Sequence, residues 1–149
     1  MTSSTWQERR LPDTSASARA CWRWQLATSA QLTAARRALR GDLADEATCP
    51  PGAGEADVDL LLLAFEELGS NALRHGGQPV SVQVVATGHG WLVDVADGRP
   101  DVTPAPPVGR DPALGGLGLH LIARLASSHG WVVDGTAKHV WACLTPRGG

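Results

Sequence analysis

Residues 65–77 read F-E-E-L-G-S-N-A-L-R-H-G-G, from Phe65 to Gly77. The segment begins as a buried helix would, yet carries Glu67, Asn71, Arg74 and His75 before it stops at two glycines. At about 100° per residue, Glu67 and Asn71 lie about 40° apart, one turn from each other, and Arg74 falls between the same edges. Val58, Leu61, Phe65, Leu68 and Ala72 form a complete apolar stripe on the other side, so the polar trio is not needed there. Leu60, Leu63 and Ala64 precede the trio on its own side, which points to a partly covered groove where polar groups need partners. On spacing alone a solvated helix face is the more ordinary account of Glu67 and Asn71.

Asp57 is the expected N-cap of this helix, and Gly76-Gly77 the C-terminal stop. Upstream, Cys21–Leu26 alternates with Trp22, Trp24 and Leu26 on one face, the period of a half-buried strand. Residues 29–44 place Leu32, Ala35, Leu39 and Leu43 at helical spacing. Downstream, Val80–Ala86 and Trp91–Ala96 read as strands joined by T-G-H-G, a tight hairpin. Residues 98–114 hold five prolines and no periodicity, a long surface loop of the kind that serves as a lid. After G-G-L-G a short helix runs through Leu119, Ile122 and Leu125 to near Gly130. Residues 131–136 and 139–145 complete the pattern as two strands. Residues 1–20, rich in Ser, Thr, Ala and Arg, read as a mobile tail, and residues 21–149 as one domain. Strands adjacent in sequence pair antiparallel and helices share a face, so the expected class is α+β: a two-layer α/β sandwich with a mixed, mostly antiparallel sheet.

The chain's 149 residues and 43% hydrophobic content suit a single core. A formal net charge of −2, spread without runs, argues against a nucleic-acid partner or an acidic membrane. The longest apolar run, Leu60–Phe65, is far short of a membrane span, and the N-terminus lacks a signal core, so a cytoplasmic protein is expected. Cys21, Cys49 and Cys143 are scattered without C-x-x-C, as buried small hydrophobes of a reducing compartment would be.

Two further motifs bear on the polar stripe: V-A-D-G at Val95–Gly98, where a strand ends in an acid, and G-G-L-G-L at Gly115–Leu119, which opens a helix and offers free amides to an anion. It is no Walker loop, because the sole lysine, Lys138, lies in T-A-K-H. Together, E-L-G-S-N-A-L-R-H-G, V-A-D-G and G-G-L-G-L, in this order over residues 20–146, resemble the ATP-binding domain of the GHKL superfamily (gyrase, heat-shock chaperone, histidine kinase, MutL). The likeness is nearest to free-standing actinobacterial regulators similar to anti-sigma-factor serine kinases, where a final strand like K-H-V-W-A-C-L is also familiar.

The resemblance implies ATP and Mg²⁺ as cofactors, with Asn71 as the side-chain ligand of the metal and Glu67 as general base for phosphoryl transfer. It makes Asp97 the acceptor of the adenine amino group, with Gly98 beside it. Gly116, Leu117, Gly118 and Leu119 supply the phosphate-binding backbone, and Arg74 and His75 border the site. The D-G-R-P-D run departs from the D-x-G-x-G of many relatives. The implied partners are a sigma factor, an antagonist of the anti-sigma factor, or both, with a homodimer as a further expectation. A non-catalytic nucleotide-binding interaction module and a separate catalytic subunit of a histidine-kinase-like system stand as alternatives.

Overall fold

A computed structural model describes residues 6–102 and 117–147. The elements are β1 (Ala18–Leu26), α1 (Ser29–Asp42), a short 3₁₀ turn (Glu46–Thr48), α2 (Glu55–His75), β2 (Val80–Thr87), β3 (Trp91–Asp97), α3 (Leu117–Leu125), β4 (Ser128–Asp134) and β5 (Ala137–Leu144). They form one five-stranded sheet in the order β1-β2-β3-β5-β4, with α1, α2 and α3 on one face. The expected two-layer α+β sandwich is what the chain adopts. Every strand pair is antiparallel rather than mixed. The one parallel contact among the described residues is an isolated bridge from Glu8 to Trp131.

Strand periodicity sorts the side chains. Val80, Val82, Val84 and Ala86 of β2, Trp91, Val93 and Val95 of β3, and Val140, Ala142 and Leu144 of β5 point toward the helices. There they meet Leu61, Phe65, Leu68 and Ala72, the apolar stripe of α2, together with Leu32 and Leu39 of α1. Trp22 and Trp24 belong to this core: the Trp24 ring stacks edge-on against Phe65 at 5.4 Å, and the Trp22 indole donates to Asp42 at 2.9 Å.

Gly69 lies where α1 crosses α2. A Cβ there would stand 2.8 Å from Cδ1 of Leu32, so the missing side chain sets the helix separation.

Three expectations are corrected. Asp57 is not the N-cap of α2; the helix begins at Glu55 after Gly54, and Asp57, three residues past Gly54, reaches back to accept from the Gly54 N–H at 2.9 Å. The last helix ends at Leu125, well short of Gly130, because β4 already starts at Ser128. Nor do all of residues 1–20 form a tail. Trp6 is buried in the helix-side core, Arg9 N–H donates to Trp131 O at 2.9 Å, and Trp131 N–H donates to Gln7 O at 3.1 Å. The strap then crosses to the outer sheet face, where the Trp141 indole donates to Arg9 O and Leu11 packs on Val85, Leu92 and Trp141. Composition concealed this, because a single tryptophan and backbone pairing, not periodicity, hold the segment. Gly130 lets it approach, since a Cβ there would stand 2.8 Å from Cβ of Arg9.

Candidate functional site

The polar side of α2 looks toward two other elements. Midway along it, the half-buried Glu67 rests on the first turn of α3: a Cβ on Gly118 would lie 1.5 Å from Oε1 of Glu67 and 2.5 Å from its Cγ. Any side chain at Gly118 would displace that carboxylate. At the C-terminal end, Gly76 lies against Asp97 of β3, where a Cβ would come within 2.6 Å of the carboxyl carbon. The pair of glycines that ends the helix is thereby explained, because the D-G-R turn packs directly on it. Gly98 N–H donates to Gly77 O at 2.7 Å, and a Cβ on Gly77 would meet Cγ of Arg99 at 2.7 Å.

Glu67 and Gly76 are nine residues apart on one helix, which at 1.5 Å per residue separates the two contact points by roughly 14 Å. That is the reach of an extended nucleoside triphosphate, with the carboxylate of Asp97 at one end and the α3 N-terminus at the other. Asn71 stands between them, half-buried, one turn beyond Glu67. Arg74 is exposed at the rim and donates to Ser70 Oγ at 2.8 Å, and His75 is exposed in the last turn.

Electrostatics distinguish the two ends. Burial pushes the Glu67 carboxyl above its ordinary value of 4.5, the neighbouring Glu66 adds to the rise, and Arg74 opposes it. A carboxylate made more basic in a partly dry groove is poised to take a proton. Asp97 is almost fully buried and engaged on both oxygens: Oδ1 accepts the Arg99 N–H at 2.8 Å, and Oδ2 faces the ammonium of Lys138 at 3.4 Å.

The site therefore brings together Glu67, Asn71, Gly118, Asp97 and Gly98 around the polar side of α2, with Arg74 and His75 bordering it. The Leu119 side chain is buried in the core with Ile122, so only its backbone can face a ligand. Leu117 opens α3. Gly116 and residues 103–114 of the expected lid lie outside the described residues.

Lys138 is the participant that motif reading missed. The signal was present: Lys138 shares strand parity with Val140 and Ala142, which puts a charge on an inward position opposite Asp97.

Among the described residues, no group of three or more His, Cys, Asp or Glu side chains could cage a metal. The donors at the site are the Asn71 amide oxygen and the nearby Glu67 carboxylate. A sparse oxygen set suits Mg²⁺, which keeps several waters and is held mainly by substrate phosphates. No helix among the described residues is long and apolar enough to cross a membrane.

A family model described as "Histidine kinase-like ATPase domain" matches residues 27–144. No curated protein matches the chain closely enough to count as a relative. The matched span runs from the end of β1 to the end of β5 and takes in α2, the D-G turn and the opening of α3. From this match, the chain belongs to the histidine kinase-like ATPase domain family, an ATP-binding regulatory domain of the GHKL type.

Proposed function

We propose that the protein is an ATP-dependent regulator of the anti-sigma-factor kind, which transfers the γ-phosphoryl group of ATP to a serine on an antagonist protein. The observation that carries this reading is Glu67, a carboxylate made more basic by burial and held against Gly118 at the start of α3, one turn from Asn71. An oxygen-bound proton acceptor beside a glycine-opened helix N-terminus is what phosphoryl transfer to a hydroxyl requires.

In that reaction the serine oxygen forms a bond to the γ-phosphorus while its proton passes to Glu67. The bond from that phosphorus to the β,γ-bridging oxygen breaks, and ADP leaves with the electron pair. The backbone of Gly118 and the α3 N-terminus favour the phosphates through the positive end of the helix dipole. Asn71 would hold Mg²⁺, which when bound offsets phosphate charge.

A second reading, a non-catalytic module whose interaction surface is set by nucleotide, is favoured by one observation: both oxygens of Asp97 already have protein partners. Labelled ATP and candidate antagonist proteins separate the two. Under the first reading the wild type transfers label, Glu67→Gln binds ATP but loses transfer by roughly 10²- to 10⁴-fold, and Asn71→Ala loses Mg²⁺-dependent binding. ATP binding without transfer to any partner supports the module instead.

A further inference from the structure

Lys138 is the only lysine in the chain, and it is buried to 3% exposure on the inward face of β5. A lone buried ammonium is costly unless its donors are used. It faces Asp97 across the β3–β5 ladder, donates to the backbone carbonyl of Val102 just past the D-G-R turn, and lies 3.4 Å from Asp97 Oδ2. A charge-assisted hydrogen bond closes to about 2.7–2.9 Å. At the longer separation Asp97 and Lys138 stand as an acceptor and a donor side by side, and the missing side chain of Gly76 makes room for the Asp97 carboxyl, whose Oδ2 would lie 2.7 Å from a Cβ there.

We propose that Lys138 is a base-specificity residue of the nucleotide site, donating to purine N1 while Asp97 accepts from the adjacent exocyclic amino group. The adenine edge presents an amino donor next to a ring-nitrogen acceptor, the complement of this carboxylate and ammonium. Each N–H of the ammonium then has a role: one holds Val102 O, one meets Asp97, and one reads the base. The Arg99 N–H on Oδ1 fixes the carboxylate and leaves Oδ2 on the Lys138 side as the acceptor for the amino group. This assignment rests on the reading of the groove as a nucleotide site.

The test compares ATP with 1-deazaadenosine triphosphate, which keeps the amino group and lacks N1, by calorimetry with Mg²⁺ on the full chain. The wild type should bind ATP at least about ten-fold more tightly, the worth of a hydrogen bond to a charged donor. Lys138→Met should bind the two alike. Lys138→Gln, which can still bond to Asp97 and so leaves no unpartnered buried carboxylate, should keep a preference of about three-fold, the worth of a neutral hydrogen bond. This variant carries the test if the Met variant does not fold. Equal binding of both nucleotides by the wild type overturns the assignment and leaves the ATP site standing. Tighter ATP binding by Lys138→Met also overturns it, and marks the ammonium as a plug on Asp97. No binding of either nucleotide by the folded wild type overturns the nucleotide reading itself, and this assignment with it.

Discussion

Glu67 of α2 lies directly over Gly118 of α3, so close that one methyl group on the glycine would occupy the place of the carboxylate. The relationship ties the proposed proton acceptor to the helix start proposed to receive phosphates. Gly118→Ala must push Glu67 aside, because Oε1, Cδ and Cγ all lie within 2.5 Å of the new atom. Phosphoryl transfer should fall by at least about 10-fold, since misplacing a general base forfeits part of its 10²- to 10⁴-fold contribution. ATP affinity, measured alongside by calorimetry, should change much less; unaltered transfer would separate Glu67 from the chemistry.

The raised Glu67 pKa makes a stability prediction with a definite sign. Its folded-state value lies above the unfolded one, so the ionised carboxylate costs stability at neutral pH; the cost fades as pH falls through the raised folded-state value and is gone below about 4.5. Glu67→Gln should therefore melt higher than the wild type at pH 7, with the gap closing toward pH 4. Melting curves at the two pH values check it, and a gap that widens in acid has the wrong sign for a desolvated carboxylate.

Much of this architecture was legible because the periods are clean. The alternation in Val80–Ala86 and Trp91–Ala96 and the apolar stripe of α2 each admit one arrangement, and boundaries moved by only a few residues. The site was legible as three glycine-bearing motifs, but not the contacts that join them. That Gly76 is shaped for Asp97 and Gly118 for Glu67 depends on which elements meet, and no local spacing encodes this. Lys138 and the strap at residues 6–11 escaped for the same reason: a charge is buried only by virtue of its partner, and a non-periodic segment orders only by virtue of the surface it crosses.

That strap should matter to stability. Trp6 is 3% exposed and packs in the helix-side core, with its ring edge-on to His129 at 4.7 Å. Trp6→Ala should cost about 3–5 kcal/mol, the usual loss for a buried large aromatic. Urea unfolding measures it, and a cost below about 1 kcal/mol would mean that the N-terminal segment contributes little to the fold.

At the crossing of α1 and α2, two effects oppose each other in Gly69→Ala. Helix propensity favours alanine by about 1 kcal/mol, whereas the new methyl would stand 2.8 Å from Cδ1 of Leu32, a side chain with 1% exposure that must shift within the core. Overpacking a filled core costs about 1–3 kcal/mol, so the net change should be a loss of about 1 kcal/mol. A gain in urea midpoint would show that α1 shifts freely on α2.

On the outer face of the sheet, His139 Nδ1 bonds Asp94 at 2.9 Å across β3 and β5, on the side away from the nucleotide groove. The hydrogen bond to Asp94 raises the His139 pKa above 6.5, with Asp94, Asp134 and Asp97 adding charge and burial opposing. For a histidine whose folded-state value is raised, the stabilisation is complete below about pH 6 and is lost as pH rises through the folded-state value. Asp94→Asn removes the leading cause. The wild type should therefore exceed Asp94→Asn in stability by about 1–2 kcal/mol at pH 6, and the difference should shrink by pH 9, where the imidazole is neutral in both proteins. Urea unfolding of both proteins across that range gives the difference directly. A gap that grows with pH would mean that Asp94 stabilises the sheet by a route other than the charged histidine.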